Sequence, residues 1–579
     1  MVCGLLVFLI QTPASPLVVT GGRVALGSSD WPTYHGDQVH SGLDSSGDSY
    51  SSLTQDWTQT LDGSLFASPV VAGGKVIEAT ENNSVYAFNV VDGSLAWKSH
   101  LASPVQSNTL PCGNISPTSG ITGTPVVDTS TGTIYVVAYQ AGQSGDDHIL
   151  FALDLNSGST KWSRTVNPVV GTALAHQQRG ALALGSGKVY IPYGGLDGDC
   201  GDYHGALIGV NADGSGTNYS YTVSSREAGM WNAAGPSIDG SGNVFTVTGN
   251  GDPSKLGGQE SVIKVSPTLQ YEDSFTASNW SALDQADTDL GSLGVSLLDN
   301  NLAFTAGKGG TGYLLNQTAL GGVGGQIYSA GICSSAAGGS AYQSPILYVP
   351  CTNGVTAVKI DPVAKNFSVL WTQSASNGSP IVAGGMVWAL SGGNLVGMDP
   401  ITGHVDITRS VGGATRFATP ASSGGRLFIA LNNQLLALAG PAVRPPDSGR
   451  PWPGGSDAVG AGAGSTNAYF AEGFTGPNFH EYLTVENPGA AQTLTAIYDF
   501  ASGSQLSKTY SLGANSRTTI DVNGEVGYYQ QVSTHLSAPN PFVAERPMYF
   551  DFPGGITGGD DAMGVQAPGQ QFYFAEGYT

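Results

Sequence analysis

Basic residues are scarce in this chain, at 21 Lys and Arg against 43 Asp and Glu over 579 residues, for a net charge of −22. No Lys/Arg cluster breaks that imbalance, and nucleic-acid binding depends on such clusters to displace counterions from phosphates. A nucleic-acid partner is therefore excluded. Charge of either sign is sparse, at 11% of residues. No apolar run is long enough to span a bilayer as a helix, so no transmembrane span is expected. The nucleophile-elbow, phosphate-loop and zinc-protease motifs G-x-S-x-G, G-x-x-x-x-G-K-[ST] and H-E-x-x-H are all missing. There are five cysteines, none in C-x-x-C spacing, so a zinc site of that kind is not indicated.

Glycine, by contrast, is abundant at 84 residues, and 40% of residues are hydrophobic. Short apolar runs between glycine turns point to an all-β chain, and the length calls for more than one domain. The first residues, Met1 to Ile10, form a short apolar run followed by Gln-Thr-Pro-Ala-Ser. They match a signal-peptide core without its basic start, so residues 1–25 are read as signal-like, with a buried strand as the alternative. With Cys3 in that segment, four cysteines remain. In an exported chain they are expected to form two structural disulfides, Cys112 with Cys200 and Cys333 with Cys351, the alternative being free buried thiols. Secretion or display at the cell surface follows as the expected location.

Internal repetition carries the most information. One unit reads Ser68-Pro-Val-Val-Ala-Gly-Gly-Lys-Val-Ile77, Asn83-Ser-Val-Tyr-Ala-Phe-Asn89 and Asp92-Gly-Ser-Leu-Ala-Trp97. The next contains Thr124-Pro-Val-Val-Asp128, Leu150-Phe-Ala-Leu-Asp154 and Ser157-Gly-Ser-Thr-Lys-Trp162, so that a shift of 65 residues lays Gly93 on Gly158 and Trp97 on Trp162. Degenerate copies continue to Leu438, with starts near residues 66, 124, 180, 235, 292, 342, 379 and 416. Each copy predicts four short antiparallel strands, which must stack face to face with neighbours to bury both surfaces. The expected fold is an eight-bladed β-propeller, with seven blades as the alternative. The last copy lacks its Trp-bearing strand, and an orphan strand, Leu53-Thr-Gln-Asp-Trp57-Thr-Gln-Thr60, precedes the first. That orphan is expected to complete the last blade and close the ring.

The signature Val-Tyr-Ala-Phe/Leu-Asp/Asn…Gly…Trp resembles the pyrroloquinoline-quinone repeat of quinoprotein alcohol dehydrogenase-like propellers over residues 30–440. Trp31-Pro-Thr-Tyr-His-Gly-Asp37 is similar to the leader these proteins often carry. The resemblance implies an eight-bladed ring and, for the dehydrogenases of the family, a quinone covered by a Trp and a disulfide of adjacent cysteines, with Ca²⁺ and an Asp base. Adjacent cysteines are absent here and no cofactor motif is present. The chain is therefore expected to need no cofactor, quinone and calcium lacking motif support.

Candidate ligand groups at the channel mouth are His176, Gln177, Arg179, Trp231, Asn232 and Asn250, with a hydrogen-bonded plug as the plainer account. Asp197, Asp199 and Asp202 alternate as a weak Ca²⁺ chelator, though without the bidentate Glu of an EF-hand they read better as a solvated acidic turn. Asp284, Asp287 and Asp289 are read in the same way. Residues 441–466 are rich in Pro and Gly and are expected to be a linker. The motif Tyr469-Phe-Ala-Glu-Gly-Phe-Thr475 recurs at Tyr573–Thr579, and the strands between predict a β-sandwich over 467–572, with 573–579 beginning another repeat. Glu472 and Glu576 recur in it and are assigned to the fold.

The leading expectation is a non-enzymatic surface scaffold that binds protein or carbohydrate. A quinone-dependent alcohol or sugar dehydrogenase and a polysaccharide-acting enzyme are the alternatives.

Overall fold

The computed structural model describes residues 30–46, 50, 52–142, 146–415, 417–440, 463–476, 479–528, 530–552 and 556–567. The signal-like segment, most of the linker and the copy at 573–579 lie outside the described residues.

Eight sheets of four or five strands follow one another along the chain to residue 439. Their inner strands are Val70–Ala72, Val126–Asp128, Ala183–Gly185, Ser237–Ile238, Ser296–Leu297, Ala341–Gln343, Ile381–Ala383 and Ala421–Ser423. These define blades 1 to 8, and the fold is the eight-bladed propeller read from the repeats. Within blade 1 the strands Lys75–Ala79 and Ser84–Asn89 are buried on both faces, whereas the outer strand Leu95–His100 buries little besides Trp97. This gradient explains why polar residues follow Trp97 in the fourth strand of this repeat.

The repeated Gly and Trp belong to one interblade contact. The Trp97 indole donates to Leu155 O at 3.0 Å, and its ring lies against Gly158 of the next blade, where a Cβ would come within 2.3 Å of it. Trp162 packs in the same manner on Gly214, and Trp371 on Gly403. Gly158 has φ +69, so the turn also requires a residue free of a Cβ penalty.

Strand Thr54–Thr60 pairs antiparallel with Gln434–Ala439, from Thr54 opposite Ala439 to Thr60 opposite Gln434. The chain's early strand is thus the outer strand of blade 8, as its missing Trp strand predicted.

The leader lies across one end of the channel. Trp31 exchanges two backbone hydrogen bonds with Val71, at 2.7 and 2.8 Å. Pro32 O accepts from Val127 N, Gln38 O from Ile238 N, Ser41 O from Tyr342 N and Gly42 O from Val382 N, all at 2.7–2.9 Å. Thr33 Oγ1 donates to Leu182 O, Ser422 Oγ donates to Asp44, and Val39 packs against the apolar cluster shared by blades 4 and 5. One short segment thereby bonds to the inner strands of six blades and to Leu182 just before the inner strand of blade 3, satisfying their backbone groups.

The two disulfides are Cys112–Cys200 and Cys333–Cys351, with Cα separations of 6.0 and 6.2 Å. The C-terminal module is built around the 21-residue strand Val532–Phe552. The first half of that strand pairs with Gln492–Phe500 and Ser465–Phe470, and the second half with Phe479–Asn487 and Ile556–Met563. All these strands belong to one sheet centred on the long strand, so the module expected as a β-sandwich over 467–572 is a half-barrel folded over Leu483, Val485, Leu494, Tyr498, Leu536 and Phe542. Among the described residues, no helix is long and apolar enough to cross a membrane.

Candidate functional site

The loops leading into the inner strands form the mouth opposite the leader. Arg179, half-buried just before blade 3, has its guanidinium carbon 5.8 Å from the Phe66 ring centre and 5.1 Å from that of Phe417. These contacts link the entries to blades 1, 3 and 8 by cation–π attraction, worth about 0.5–2 kcal/mol each. Between this stack and the leader's Tyr34, on the axis, remains a void of about 10 Å³ edged by Ser68, Thr122, Thr124 and Ala233. That is roughly the space of one water.

Trp231 extends the stack, with ring centres 6.4 Å from Phe417, and Lys308 Nζ sits 5.6 Å from the Trp231 ring. Lys308 is ion-paired to Asp289, whose other oxygen accepts the Asn250 backbone N–H at 2.7 Å. Asp284 accepts Gly251 N at 3.1 Å, and Glu260 accepts Leu290 N at 2.6 Å. Burial raises the pKa of Asp284 and Asp289 and lifts that of Glu260 to about 9. The solvated acidic turn expected at 284–289 is thus corrected for Asp284 and Asp289, which are buried; only Asp287 is exposed. Asp284 and Asp289 fasten the loop after Val247 by its backbone amides, and Glu260 fastens Leu290.

The remaining sequence candidates separate. His176 is fully buried, its ring nitrogens 2.7 Å from Thr172 O and 3.2 Å from His204 O, and it packs edge-on against Tyr193 and Tyr203. Gln177 is buried beside it. Asn232 is buried and accepts Gly235 N at 3.0 Å. His176 and Asn232 thus hold loop backbone groups, and all three side chains are buried. Arg179, Trp231 and Asn250 are half-buried at the mouth. Asp197, Asp199 and Asp202 do not converge: Asp199 accepts the Tyr203 hydroxyl at 2.5 Å, and Asp202 lies 3.9 Å from Arg226. Among the described residues no group of three or more His, Cys, Asp or Glu side chains is placed to hold a metal. Glu472 is exposed, and Glu576 is outside the described residues.

Lys308, Phe66 and Phe417 escaped sequence reasoning, since each meets its partner across blades. A wider recess of about 420 Å³, beside the axial stack over blades 6 to 8, was also missed.

The family described as outer membrane protein assembly factor BamB matches residues 51–143 and 114–305. With the blade architecture, this match likens the ring to pyrroloquinoline-quinone-repeat propellers. Among solved structures, the quinohemoprotein alcohol dehydrogenase of Comamonas testosteroni is 16% identical with a TM-score of 0.55, covering 73% of this chain and 82% of its own. The quinohemoprotein alcohol dehydrogenase ADHIIG of Pseudomonas putida HK5 is 15% identical with a TM-score of 0.56, covering 74% of this chain and 83% of its own. A europium-containing methanol dehydrogenase is 12% identical with a TM-score of 0.55, covering 71% of this chain and 98% of its own. At such identities the likeness is one of fold. No curated protein matches the sequence.

A quinone does not fit the axis as it is built. A small-molecule site needs some ~300 Å³ or more, against a void of about 10 Å³ here. The Trp231 ring is covered by Phe417 and Lys308, and Asp289 is committed to Lys308.

Proposed function

We propose that this protein is an exported, non-enzymatic binding scaffold whose propeller engages protein or carbohydrate through its loop-bearing mouth. The observation that supports this reading is the Phe66–Arg179–Phe417 stack, which ties together the entries to blades 1, 3 and 8 and leaves a void of only about 10 Å³ beneath it. Two disulfides accord with an oxidising compartment. The dehydrogenase alternative draws support from the neighbours' shared fold, and one experiment separates the two. Purified protein is mixed with pyrroloquinoline quinone and Ca²⁺ while thermal unfolding and dye reduction are followed. The scaffold reading expects neither a shift nor turnover; a stabilised protein that reduces dye with alcohols or sugars would overturn it.

A further inference from the structure

The loops over blades 2 and 3 build a platform beside the axial stack. The loop 167–175, which enters blade 3, presents Val169, Val170 and Leu174 at 72, 41 and 37% exposure. Single exposed aliphatics are ordinary, but three within six residues make a patch, and apolar patches mark contact surfaces. The loop is not free to fold them inward. At its root Asn167 donates to Asp147 at 2.6 Å and accepts His148 N at 2.8 Å. Further along, Thr172 N donates to Asp202 O at 3.1 Å and Ala175 O accepts Leu196 N at 3.3 Å. Between them the chain lies so close that a Cβ on Gly171 would come within 2.5 Å of Asp202 O.

The neighbouring loop 196–204 is held in turn. The Cys112–Cys200 bridge ties it to the excursion before blade 2 that carries the hairpin of Val105–Gln106 and Thr118–Ser119. Arg226 donates to Gly201 O at 2.7 Å from a third loop. This loop carries Asp197, Asp199 and Asp202, all exposed, so aliphatic and acidic groups stand side by side on one fixed surface. A surface already in place loses little on ordering when it binds.

Two cations border the platform. Arg226 is 3.1 Å from Glu227 and 3.9 Å from Asp202, and Arg179 lies inward, in the stack with Phe66 and Phe417. Lys255 follows Asp252 on a loop of blade 4, and residues 143–145, outside the described residues, are Gln-Ser-Gly. Asp147, Asp197, Asp199, Asp202 and Glu227 thus outnumber Arg226 and Arg179 around the patch.

We infer that this platform docks a protein segment that combines Lys or Arg with aliphatic side chains. The inference rests on the scaffold reading and names its partner's chemistry. The cations would face Asp197 and Asp202, and the aliphatic groups would cover Val169, Val170 and Leu174. A second copy of this chain, at net −22, and an anionic bilayer would both be repelled, and a neutral saccharide would leave the aspartates unanswered.

The test is fluorescence anisotropy with three labelled peptides, alternating Lys-Val, Lys-Ser and Glu-Val, titrated with the full chain. Expected is binding of the Lys-Val peptide at least about tenfold tighter than of the other two. The pair Val169→Ser and Leu174→Ser should weaken it about tenfold, and the pair Asp197→Asn and Asp202→Asn should do the same and reduce its dependence on salt. The control pair Glu472→Gln and Glu486→Gln, which removes two exposed carboxylates from the C-terminal module, should leave it unchanged. Every pair changes exposed side chains and is expected to keep the parent's thermal unfolding midpoint; Val170→Ser repeats the apolar arm where Leu174→Ser lowers it. No binding of the Lys-Val peptide, equal binding of Lys-Ser, or equal losses from the two carboxylate pairs overturns the inference. Binding to phosphatidylcholine vesicles that Val169→Ser and Leu174→Ser abolish overturns it too, by giving the patch to a membrane. Failure of peptide binding leaves the scaffold reading standing, whereas dye reduction with quinone and Ca²⁺ removes that reading itself.

Discussion

The indole of Trp57 lies against Gly93, where a Cβ would come within 2.5 Å of the ring, and its N–H donates to Val90 O at 3.1 Å. Trp57 comes from the strand before blade 1 and Gly93 from blade 1 itself, so this contact closes the seam with the same joint that links other blades. Removing the ring empties a buried site, and Trp57→Ala should cost about 3–5 kcal/mol in denaturant unfolding. Gly93→Val should lose at least as much, because φ +68 and the Trp57 ring both oppose a side chain. Deleting residues 50–61 should abolish the cooperative transition; an unchanged melt would refute the closure.

The disulfides should differ in worth. Cys112–Cys200 closes 88 residues and Cys333–Cys351 closes 18. Loop-closure entropy then favours the first, at about 4–5 kcal/mol against about 3 kcal/mol. Paired Cys→Ser variants compared by chemical denaturation check the order.

Acid should loosen the ring through its buried imidazoles. Burial lowers His35 and His148 to about 3 and His40 to about 4, from an ordinary 6.5. The unfolded chain takes these protons first, so stability is full above pH 6.5 and falls below it, by about 1.4 kcal/mol per pH unit for each ring, until the folded values are reached. His148→Phe, which keeps the stack on Tyr139 (ring centres 4.4 Å apart), should remove one share of that slope in unfolding titrations between pH 4 and 6.

Alkali should act with the opposite sign at Glu260. Its pKa of about 9 lies above the ordinary 4.5, so its contribution is complete below pH 4.5 and is lost as pH rises through 9. Glu260→Gln keeps the shape without the charge, and should flatten the stability profile between pH 5 and 9 and raise stability at pH 8.

Lys308 and Asp289 should prove coupled. Lys308→Met leaves a buried carboxylate without its partner, at a cost of about 3–5 kcal/mol, while the double variant with Asp289→Asn should recover part of the loss. Additive losses in the double-mutant cycle would deny the coupling.

The blades were legible because each repeat is written locally: Gly93 and Trp97 stand four residues apart, as do Gly158 and Trp162, and their partners recur one unit away. The closing strand was legible as the complement of a missing one. The leader's bonding along the inner strands was not, since it runs mostly through backbone groups that leave no side-chain pattern. The Arg179 stack draws on Phe66 and Phe417, residues from three loops that only the ring brings together. The recess was hidden because paired glycines such as Gly392 and Gly393 look like any hairpin turn.

Because Thr54–Thr60 must wait for Gln434–Ala439, the first ring strand to leave the ribosome is among the last to find its place. A nascent or truncated chain is left with bare sheet edges at both ends, which invites pairing with other chains. The circle is therefore completed only once the last blade has been made.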